Sequence, residues 1–277
     1  MMGLALKVGR ISYVNTIPFF HHLSRTGFSQ CVVDGVPAEL NAGLATGTLD
    51  LSPSSSFEYA RDWRNYLLLP GLSISSLGAV RSVLLFSRLP LAEVAKEKIA
   101  LTAESATSSN LLQVLLKEFC GARTFDGSVP AAPVETVVAD GGSALLIGDR
   151  ALRTAGSLQK GMQVYDLGEL WYRFTGLPFV FALWILRRQA FVEQPEAVRI
   201  LRGQLEQALA YAFADLPGMA AAVASVSPLS VDELVSYWRD SMSYTLTAEH
   251  LAGLRLFFSL CCKHGLLDEE PELCFAE

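Results

Sequence analysis

The chain has 277 residues, and single hydrophobic cores stop growing near ~250 residues, so its length suits one large or two modest domains. Hydrophobic residues make up 51% of it and charged residues 18%, a composition that excludes disordered and low-complexity proteins. The net charge of −6 comes from scattered Asp and Glu, and no basic patch indicates a nucleic-acid partner.

The N-terminal sequence and the cysteines predict a cytoplasmic protein. Lys7 and Arg10 come before an apolar segment of signal-peptide length is complete. The longest apolar run, 177–186, is well short of the ~20 residues that span a bilayer, so no membrane partner is expected. Five cysteines, an odd number without C-x-x-C spacing, predict reduced thiols and no zinc site.

Predicted strands and helices alternate through the first third of the chain. The opening strand is followed by a turn at 15–18 and a helix that carries His21 and His22. Pro37 is well placed to begin the next helix. The strand "LDLSP" ends at Pro53, and a helix begins within the serines that follow it. Further strands are predicted at 31–36, 66–76 and 79–89.

The rest of the chain repeats this alternation and ends in helices. A strand at 98–103 precedes a helix near 107–120, and the segments 134–138 and 143–152 are predicted as a pair of strands. The segment 164–188 ends in a long apolar strand. Apolar residues three and four apart predict helices at 195–216 and 247–267.

This order predicts an α/β fold with largely parallel sheets, arranged as two lobes. We expect a discontinuous first lobe, 1–87 plus 188–277, and a second lobe at 88–187. In such bilobal folds the ligand cleft lies between the lobes, at the carboxyl ends of strands.

Motifs for phosphate, dinucleotide or metal binding fail on inspection. The segment 156–163 has P-loop glycine spacing, but Met162 and Gln163 stand where Lys and Ser or Thr are needed. No G-x-G-x-x-G follows a strand, and no G-x-S-x-G is present. None of the four histidines pairs at metal-ligand spacing. We therefore expect neither a cofactor nor a metal.

Two hydroxyl-rich segments precede predicted helices. Ser54, Ser55 and Ser56 form the first, in which Ser55 and Glu58 fit a capping box. Thr107–Ser109 is the second. Each segment either caps its helix or binds an anion at the helix N-terminus, where free N–H groups and the dipole favour negative charge. The occurrence of one segment in each lobe favours a ligand with two carboxylates.

The chain resembles the MqnA family of chorismate dehydratases, from the futalosine route to menaquinone. The resemblance runs from about residue 7 to 266 and rests on a set of phrases in a fixed order. These are "RISYVNTIPFF", "VPAELNAGLATGTLDLSPSSSFEYAR", "YLLLPGLSISSLGAVRSVLLFSRLPL", "IALTAESATSSNLL", "LLIGDRAL", "DLGELWYRFTGLPFVFALW" and "SMSYTLTAEHLAGLRLFF". It implies a type II periplasmic-binding-protein-like fold. It also implies a carbon–oxygen lyase that converts chorismate to 3-[(1-carboxyvinyl)oxy]benzoate and water without a cofactor.

The family pattern places a functional asparagine at Asn15, which would hydrogen-bond the departing hydroxyl or a carboxylate. The alternative for Asn15 is a turn-former before Pro18. No base stands near Asn15 in the sequence, so we take as a hypothesis that the substrate's own enolpyruvyl carboxylate accepts the proton.

The other candidate residues bind substrate in this interpretation. Ser82 is either a ligand or a serine bonded to its own backbone, and Asp149 orients a hydroxyl or caps a helix. Tyr172 and Phe179 are expected to line the cleft. The candidate substrate ligands are Ser54, Ser55 and Ser82 in the first lobe, Thr107 and Ser108 in the second, Asp149, and Arg10 and Arg81 as counter-charges.

Alternatives from two classes remain beside the dehydratase. One is an enzyme of the neighbouring MqnD branch, which acts on a cyclised futalosine product. The other is a solute-binding protein that closes on its ligand without chemistry. The expected partner is a small dicarboxylate, chorismate, and the expected state is a monomer or a homodimer.

Overall fold

The computed structural model describes residues 5–277, which contain two sheets with helices between their strands. The first sheet has six strands in the order β11-β4-β10-β3-β1-β2, and the second has five in the order β7-β6-β8-β5-β9. The strands are β1 (Lys7–Ile11), β2 (Cys31–Gly35), β3 (Leu51–Ser55), β4 (Tyr66–Ser76), β5 (Val83–Ser87), β6 (Ile99–Leu101), β7 (Gly127–Ser128), β8 (Ser143–Ile147), β9 (Gln163–Asp166), β10 (Phe179–Arg187) and β11 (Ser243–Thr245).

The helices include two that end in a π-helical turn, at Leu115–Phe119 after α5 and at Tyr237–Ser241 after α12. The α-helices are α1 (Ile17–Phe20), α2 (Pro37–Thr46), α3 (Ser56–Arg61), α4 (Leu91–Val94), α5 (Ala106–Val114), α6 (Val134–Ala139), α7 (Gly148–Ala155), α8 (Leu167–Thr175), α9 (Arg188–Glu193), α10 (Pro195–Ala214), α11 (Leu216–Val223), α12 (Val231–Ser236) and α13 (Ala248–Lys263).

Contacts divide the chain into two compact units. Unit 1 comprises the described residues up to Ile74 together with Ala182–Leu246 and Pro271–Glu277, and unit 2 comprises Ser75–Phe181 with Thr247–Glu270. This division differs from the expected lobes in three respects: the segments 75–87 and 247–270 belong to unit 2, and the segment 182–187 belongs to unit 1. The division into two domains stays a prediction.

Unit 1 is built around β3, all of whose residues are buried. Strand β1 runs parallel to both β2 and β3, whereas β10 runs antiparallel to β3. Gly9 makes the β1–β3 contact close, because a Cβ built there would lie 2.8 Å from the Cβ of Ser52. The parallel pair places the carboxyl ends of β1 and β3 at one edge of the sheet.

Unit 2 contains an equally buried central strand, β8. It runs parallel to β6 and antiparallel to β5, and β9 is antiparallel to β5. The carboxyl ends of β6, β8 and β9 therefore lie at the same edge of the sheet as the amino end of β5.

Several secondary-structure predictions were wrong. The predicted strand at 143–152 ends at Ile147, and the residues that follow begin helix α7. Residues 134–138 form helix α6, because Val134 and Val138 are one helical turn apart and both are buried. Helix α1 ends at Phe20, so it does not contain His21 or His22. Both sheets are mixed rather than largely parallel, since β10 and β5 run against their neighbours.

Strand β3 continues past Pro53, where the sequence predicts its end. Proline lacks an N–H donor and is unusual in central strands. The strand nevertheless runs to Ser55, because Ser54 and Ser55 pair with Leu183 and Ala182 of β10. Two of the candidate serines are therefore strand residues.

None of the single helices in residues 5–277 is long and apolar enough to cross a membrane. A bent pair, Pro195–Ala214 with Leu216–Val226 at 93°, satisfies the length and composition criteria together.

The close β1–β3 contact predicts a large effect of a small substitution. We expect Gly9→Ala to reduce the free energy of unfolding by about 1–3 kcal/mol, because its methyl group overlaps Ser52. Gly203→Ala is the matched control: nothing lies within 4 Å of a Cβ there, and alanine favours the interior of α10. Denaturant unfolding measures both, and equal stabilities would contradict the close packing.

Candidate functional site

The carboxyl edge of the sheet in unit 1 brings together three of the predicted site residues. Ser54 and Ser55 end β3, and Asn15 lies in a short 3-10 helix, Val14–Thr16, just after β1. Because β1 and β3 are parallel neighbours, these residues lie at the edge where α/β folds bind ligands.

The backbone around Asn15 is fixed by side chains from distant parts of unit 1. The hydroxyl of Tyr244 donates to the carbonyl oxygen of Asn15 at 2.8 Å, and the indole Nε1 of Trp238 donates to that of Val14 at 2.8 Å. The hydroxyl of Thr16 donates to the carbonyl oxygen of Ile11 at 2.7 Å. The Asn15 side chain therefore projects from a rigid turn.

Two polar atoms at this edge are buried without a hydrogen-bond partner among the described residues: Asn15 Oδ1 and Ser54 Oγ. A buried polar group left unpaired costs about 1–3 kcal/mol, and most such groups in native proteins find a partner. Each group that stays unpaired needs an explanation, and a bound ligand is one that such a group can have. Their occurrence on neighbouring strand ends marks this edge as the candidate site of unit 1.

The serine-rich segment is not a capping box. Ser55 precedes α3, but its side chain makes no capping hydrogen bond. Glu58, the predicted partner, instead accepts from Arg61 at 2.6 Å, and burial raises the pKa of its carboxyl. The capping prediction was therefore wrong: Ser55 lies within the strand hydrogen-bonding pattern, and Glu58 has a different partner.

In unit 2, Ser82 and Asp149 lie beside each other at the edge of the five-stranded sheet. The N–H of Gly148 donates to the carbonyl oxygen of Ser82 at 2.7 Å, and Asp149 follows in the first turn of α7. Ser82 is buried, and its hydroxyl lies 3.4 Å from the carbonyl oxygen of Val80. Ser82 belongs to unit 2, although the sequence placed it in the first lobe.

Thr107 and Ser108 reach the same edge because α5 follows β6. They lie inside the first turn of α5 and not before it, since Ser105 is the N-cap and its hydroxyl accepts from the Ser108 N–H at 3.2 Å. Both residues are buried. The sequence thus placed the start of this helix too late, because Ser105 was not recognised as the cap.

An ion-pair cluster connects the loop before α5 to α7. Arg150, next to Asp149, donates to Glu104 at 2.9 Å and to both carboxylate oxygens of Glu135 at 2.5 Å. These hydrogen bonds lower the pKa of Glu135 and raise that of Arg150, so this pair is charged at neutral pH. It fixes the spacing between the segments that carry Ser108 and Asp149.

The two candidate arginines differ in their surroundings. Arg10 forms a two-pronged ion pair with Asp34, which raises the pKa of Arg10 and lowers that of Asp34. Its charge is thus balanced within unit 1, which weakens the case for a substrate contact. Arg81, beside Ser82, has a positive φ of 62°. A non-glycine residue in this conformation is uncommon and is often found at functional sites.

The two candidate aromatic residues also differ. Tyr172 on α8 is 41% exposed, whereas Phe179 is buried. The ring of Phe179 packs edge to face against Trp171 and Phe257, with centroids 5.2 and 5.0 Å apart. Phe179 is therefore part of the hydrophobic core of unit 2.

Sequence reasoning missed three residues that shape these edges: Trp238, Tyr244 and Asp166. The first two bind the Asn15 turn from more than 200 positions away, and no local pattern indicates such contacts. Asp166 carried a usable signal, because an Asp directly before an apolar helical run is a typical N-cap.

A separate cavity of about 340 Å³ lies in unit 1 at the opposite, amino edge of β3. Arg187 contributes to its wall but pairs with Asp50 at 3.8 Å and with Gln189 at 3.1 Å. Asp62 pairs with Asn65, whereas the hydroxyl of Tyr66, which also lines the cavity, is buried without a hydrogen-bond partner among the described residues. In residues 5–277 no group of three or more His, Cys, Asp or Glu is arranged to hold a metal ion.

Comparison with known families identifies the chain. The model of a family described as "Menaquinone biosynthesis" matches residues 6–263. The chain belongs to this menaquinone biosynthesis family. The MqnA-type membership predicted from the sequence phrases is thereby confirmed.

Two relatives of this family are named chorismate dehydratase. The one from Thermus thermophilus is 38% identical over 196 residues, 66% of this chain and 70% of the relative. The one from Campylobacter jejuni subsp. jejuni is 31% identical over 180 residues, 63% of this chain and 64% of the relative.

Solved structures establish the fold. The alkanesulfonate-binding protein SsuA from Xanthomonas axonopodis pv. citri, bound to MOPS, has a TM-score of 0.74 and 16% identity, covering 99% of this chain and 97% of that one. The periplasmic aliphatic sulphonate binding protein SsuA from Escherichia coli has a TM-score of 0.69 and 15% identity, covering 97% and 90%. The menaquinone biosynthesis family member thus has the predicted two-lobed, type II periplasmic-binding-protein-like fold.

Because the Ser54 hydroxyl is unpaired among the described residues, its removal should not destabilise the protein. We expect Ser54→Ala to leave the free energy of unfolding unchanged or to raise it by about 1 kcal/mol, because an unsatisfied buried group is removed. Ser87→Ala is the control: Ser87 is equally buried, but its hydroxyl pairs with that of Ser143 at 2.8 Å. Its loss should cost about 1–3 kcal/mol. Equal destabilisation of both variants in urea would show that Ser54 has a partner.

Proposed function

We propose that this chain is a chorismate dehydratase, a hydro-lyase that converts chorismate to 3-[(1-carboxyvinyl)oxy]benzoate and water in menaquinone biosynthesis via futalosine. The observation that carries the proposal is the pair of unpaired buried atoms, Asn15 Oδ1 and Ser54 Oγ, at the carboxyl edge of the unit 1 sheet. Family membership and the names of the two relatives support this choice of substrate.

The reaction removes the ring proton beside the enol-ether oxygen and expels the neighbouring hydroxyl. One C–H and one C–O bond break, and the electrons of the C–H bond complete the aromatic ring while proton and hydroxide leave as water. Aromatisation supplies the driving force, so the protein mainly needs to hold the substrate in a reactive geometry. Positioning alone can lower a barrier by as much as ~7–11 kcal/mol in ideal cases.

In this proposal Asn15 is the catalytic residue: its amide NH2 group donates to the departing hydroxyl, and its Oδ1 accepts a hydrogen bond from the substrate. The rigid turn beneath it supports such a role, because a fixed amide pays no reorganisation cost during the reaction. The substrate's own enolpyruvyl carboxylate accepts the proton, so the protein supplies no separate base.

The carboxylates of chorismate are bound by hydroxyl groups. Ser54 and Ser55 are the proposed ligands from unit 1, and Ser82, Thr107 and Ser108 those from unit 2. Asp149 orients the substrate hydroxyl, and Arg81 balances negative charge. Arg10 is the weakest of the proposed ligands because Asp34 already pairs with it. We further propose that the enzyme is cytoplasmic, works without a cofactor and is a monomer or homodimer.

Turnover of chorismate tests the proposal. Purified protein is incubated with chorismate, and the ultraviolet spectrum and the mass of the products are followed. We expect an aromatic product lighter than chorismate by one water, formed without added cofactor. Unchanged chorismate would contradict the proposal. Turnover of a futalosine-derived substrate would then indicate the MqnD branch, and binding without turnover a solute-binding protein.

Substitution of Asn15 separates its catalytic role from a turn-forming one. We expect Asn15→Ala and Asn15→Asp each to lower kcat by about 100-fold, the scale of losing one fixed transition-state donor. Asn65→Ala is the control, since Asn65 is exposed and pairs with Asp62. Full turnover by either Asn15 variant, with unfolding stability preserved, would rule out a central role for the amide.

A further inference from the structure

Asp166 makes more hydrogen bonds than a helix cap requires. As N-cap of α8 its Oδ1 accepts from the N–H of Gly168 at 2.9 Å and of Glu169 at 3.1 Å. The same carboxylate also accepts from Val80 at 3.1 Å, through Oδ1, and from Arg81 at 2.6 Å, through Oδ2. Two of its four partners therefore belong to the loop that precedes β5.

The backbone of that loop is strained at Arg81. Arg81 is the one non-glycine residue in 5–277 with a positive φ, 62°, a region that disfavours residues with a Cβ. Its N–H forms the shortest of the four bonds to Asp166. The conformation of Arg81 is thus maintained by a bond from outside the loop.

Close packing presses the loop against the first turn of α8. A Cβ at Gly168 would lie 2.6 Å from the carbonyl oxygen of Gly78 and 2.7 Å from Ser76 Oγ. The Ser76 hydroxyl in turn donates to that carbonyl at 2.9 Å. The loop is therefore held both by this packing and by the two bonds from Val80 and Arg81 to Asp166.

The loop ends at Ser82, one of the proposed substrate ligands. Its carbonyl oxygen accepts from Gly148 at 2.7 Å, which connects it to the turn that carries Asp149. A rotation at Arg81 would displace both the Arg81 side chain and the Ser82 hydroxyl. The direction of these groups thus depends on the carboxylate of Asp166.

We propose that Asp166 is a positioning residue that holds Arg81 in its left-handed conformation and so aims Arg81 and Ser82 at the substrate. The inference rests on the proposed function, because it concerns residues that would contact chorismate. Asp166 itself does not touch the substrate in this account.

Asp166→Asn separates positioning from capping. Asparagine is also a good N-cap, so its side-chain oxygen keeps the bonds to Gly168 and Glu169. Its NH2 group, however, faces the Arg81 N–H, and two donors cannot form a hydrogen bond with each other. We expect KM for chorismate to rise about tenfold with little change in kcat, as for lost uniform binding. Asp215→Asn is the control: Asp215 caps α11 through Gly218 and should leave KM unchanged.

Backbone rescue at Arg81 identifies the mechanism. Arg81→Ala and Arg81→Gly both remove the guanidinium, but only glycine adopts positive φ without strain. We expect the two variants to have similar KM values when Asp166 is present. In the Asp166→Asn background, Arg81→Gly should have a KM several-fold below that of Arg81→Ala. Equal values there would overturn the proposal, since a purely structural defect would not distinguish the two.

Amide hydrogen exchange tests the positioning role without turnover. In Asp166→Asn we expect the Arg81 amide proton to exchange at least about fivefold faster, with Gly168 unchanged as internal control. If the wild type fails to convert chorismate, the proposed function falls. Amide exchange still tests whether Asp166 holds the Arg81 N–H by a hydrogen bond. Equal protection of the Arg81 amide proton in the wild type and in Asp166→Asn would overturn that role.

Discussion

The close packing of β1 against β3 is the constraint on which the unit 1 site depends. Gly9 leaves room for Ser52, so the parallel strands β1 and β3 pack closely, and Asn15, Ser54 and Ser55 lie at the same edge of the sheet. A larger residue at Gly9 would separate the strand ends. The position of the candidate catalytic amide therefore depends on a glycine, Gly9, in the core.

Hydrogen bonds hold the backbone of the candidate site in unit 1 but leave two of its side-chain atoms without a partner in residues 5–277. The Asn15 turn is held by Trp238 and Tyr244, while Asn15 Oδ1 and Ser54 Oγ remain unpaired among the described residues. Leaving these two atoms unpaired sacrifices some stability for affinity. Such fixed, unpaired groups suit a reaction that needs positioning more than acid–base strength.

The sequence predicted elements wherever local signals agreed with their surroundings. Pro37 began α2, and buried apolar runs identified β4 and β10. Pattern reasoning failed where tertiary contacts decided the outcome. Pairing with β10 extends β3 beyond Pro53, and 134–138 is a helix that buries Val134 and Val138, one turn apart.

The candidate site shows the same division. Family phrases indicated Asn15 and the serines, whereas contacts from remote positions, such as Tyr244 to Asn15, leave no trace in the local sequence. The central claim is that the unpaired side-chain atoms form hydrogen bonds with the ligand. Calorimetry tests it most directly, by comparing the affinity of the wild type and of Ser54→Ala for 3-[(1-carboxyvinyl)oxy]benzoate. The account predicts affinity weaker by roughly tenfold or more in the variant, because a hydrogen bond to a charged group contributes about 1.5–3 kcal/mol. Equal affinities would contradict it.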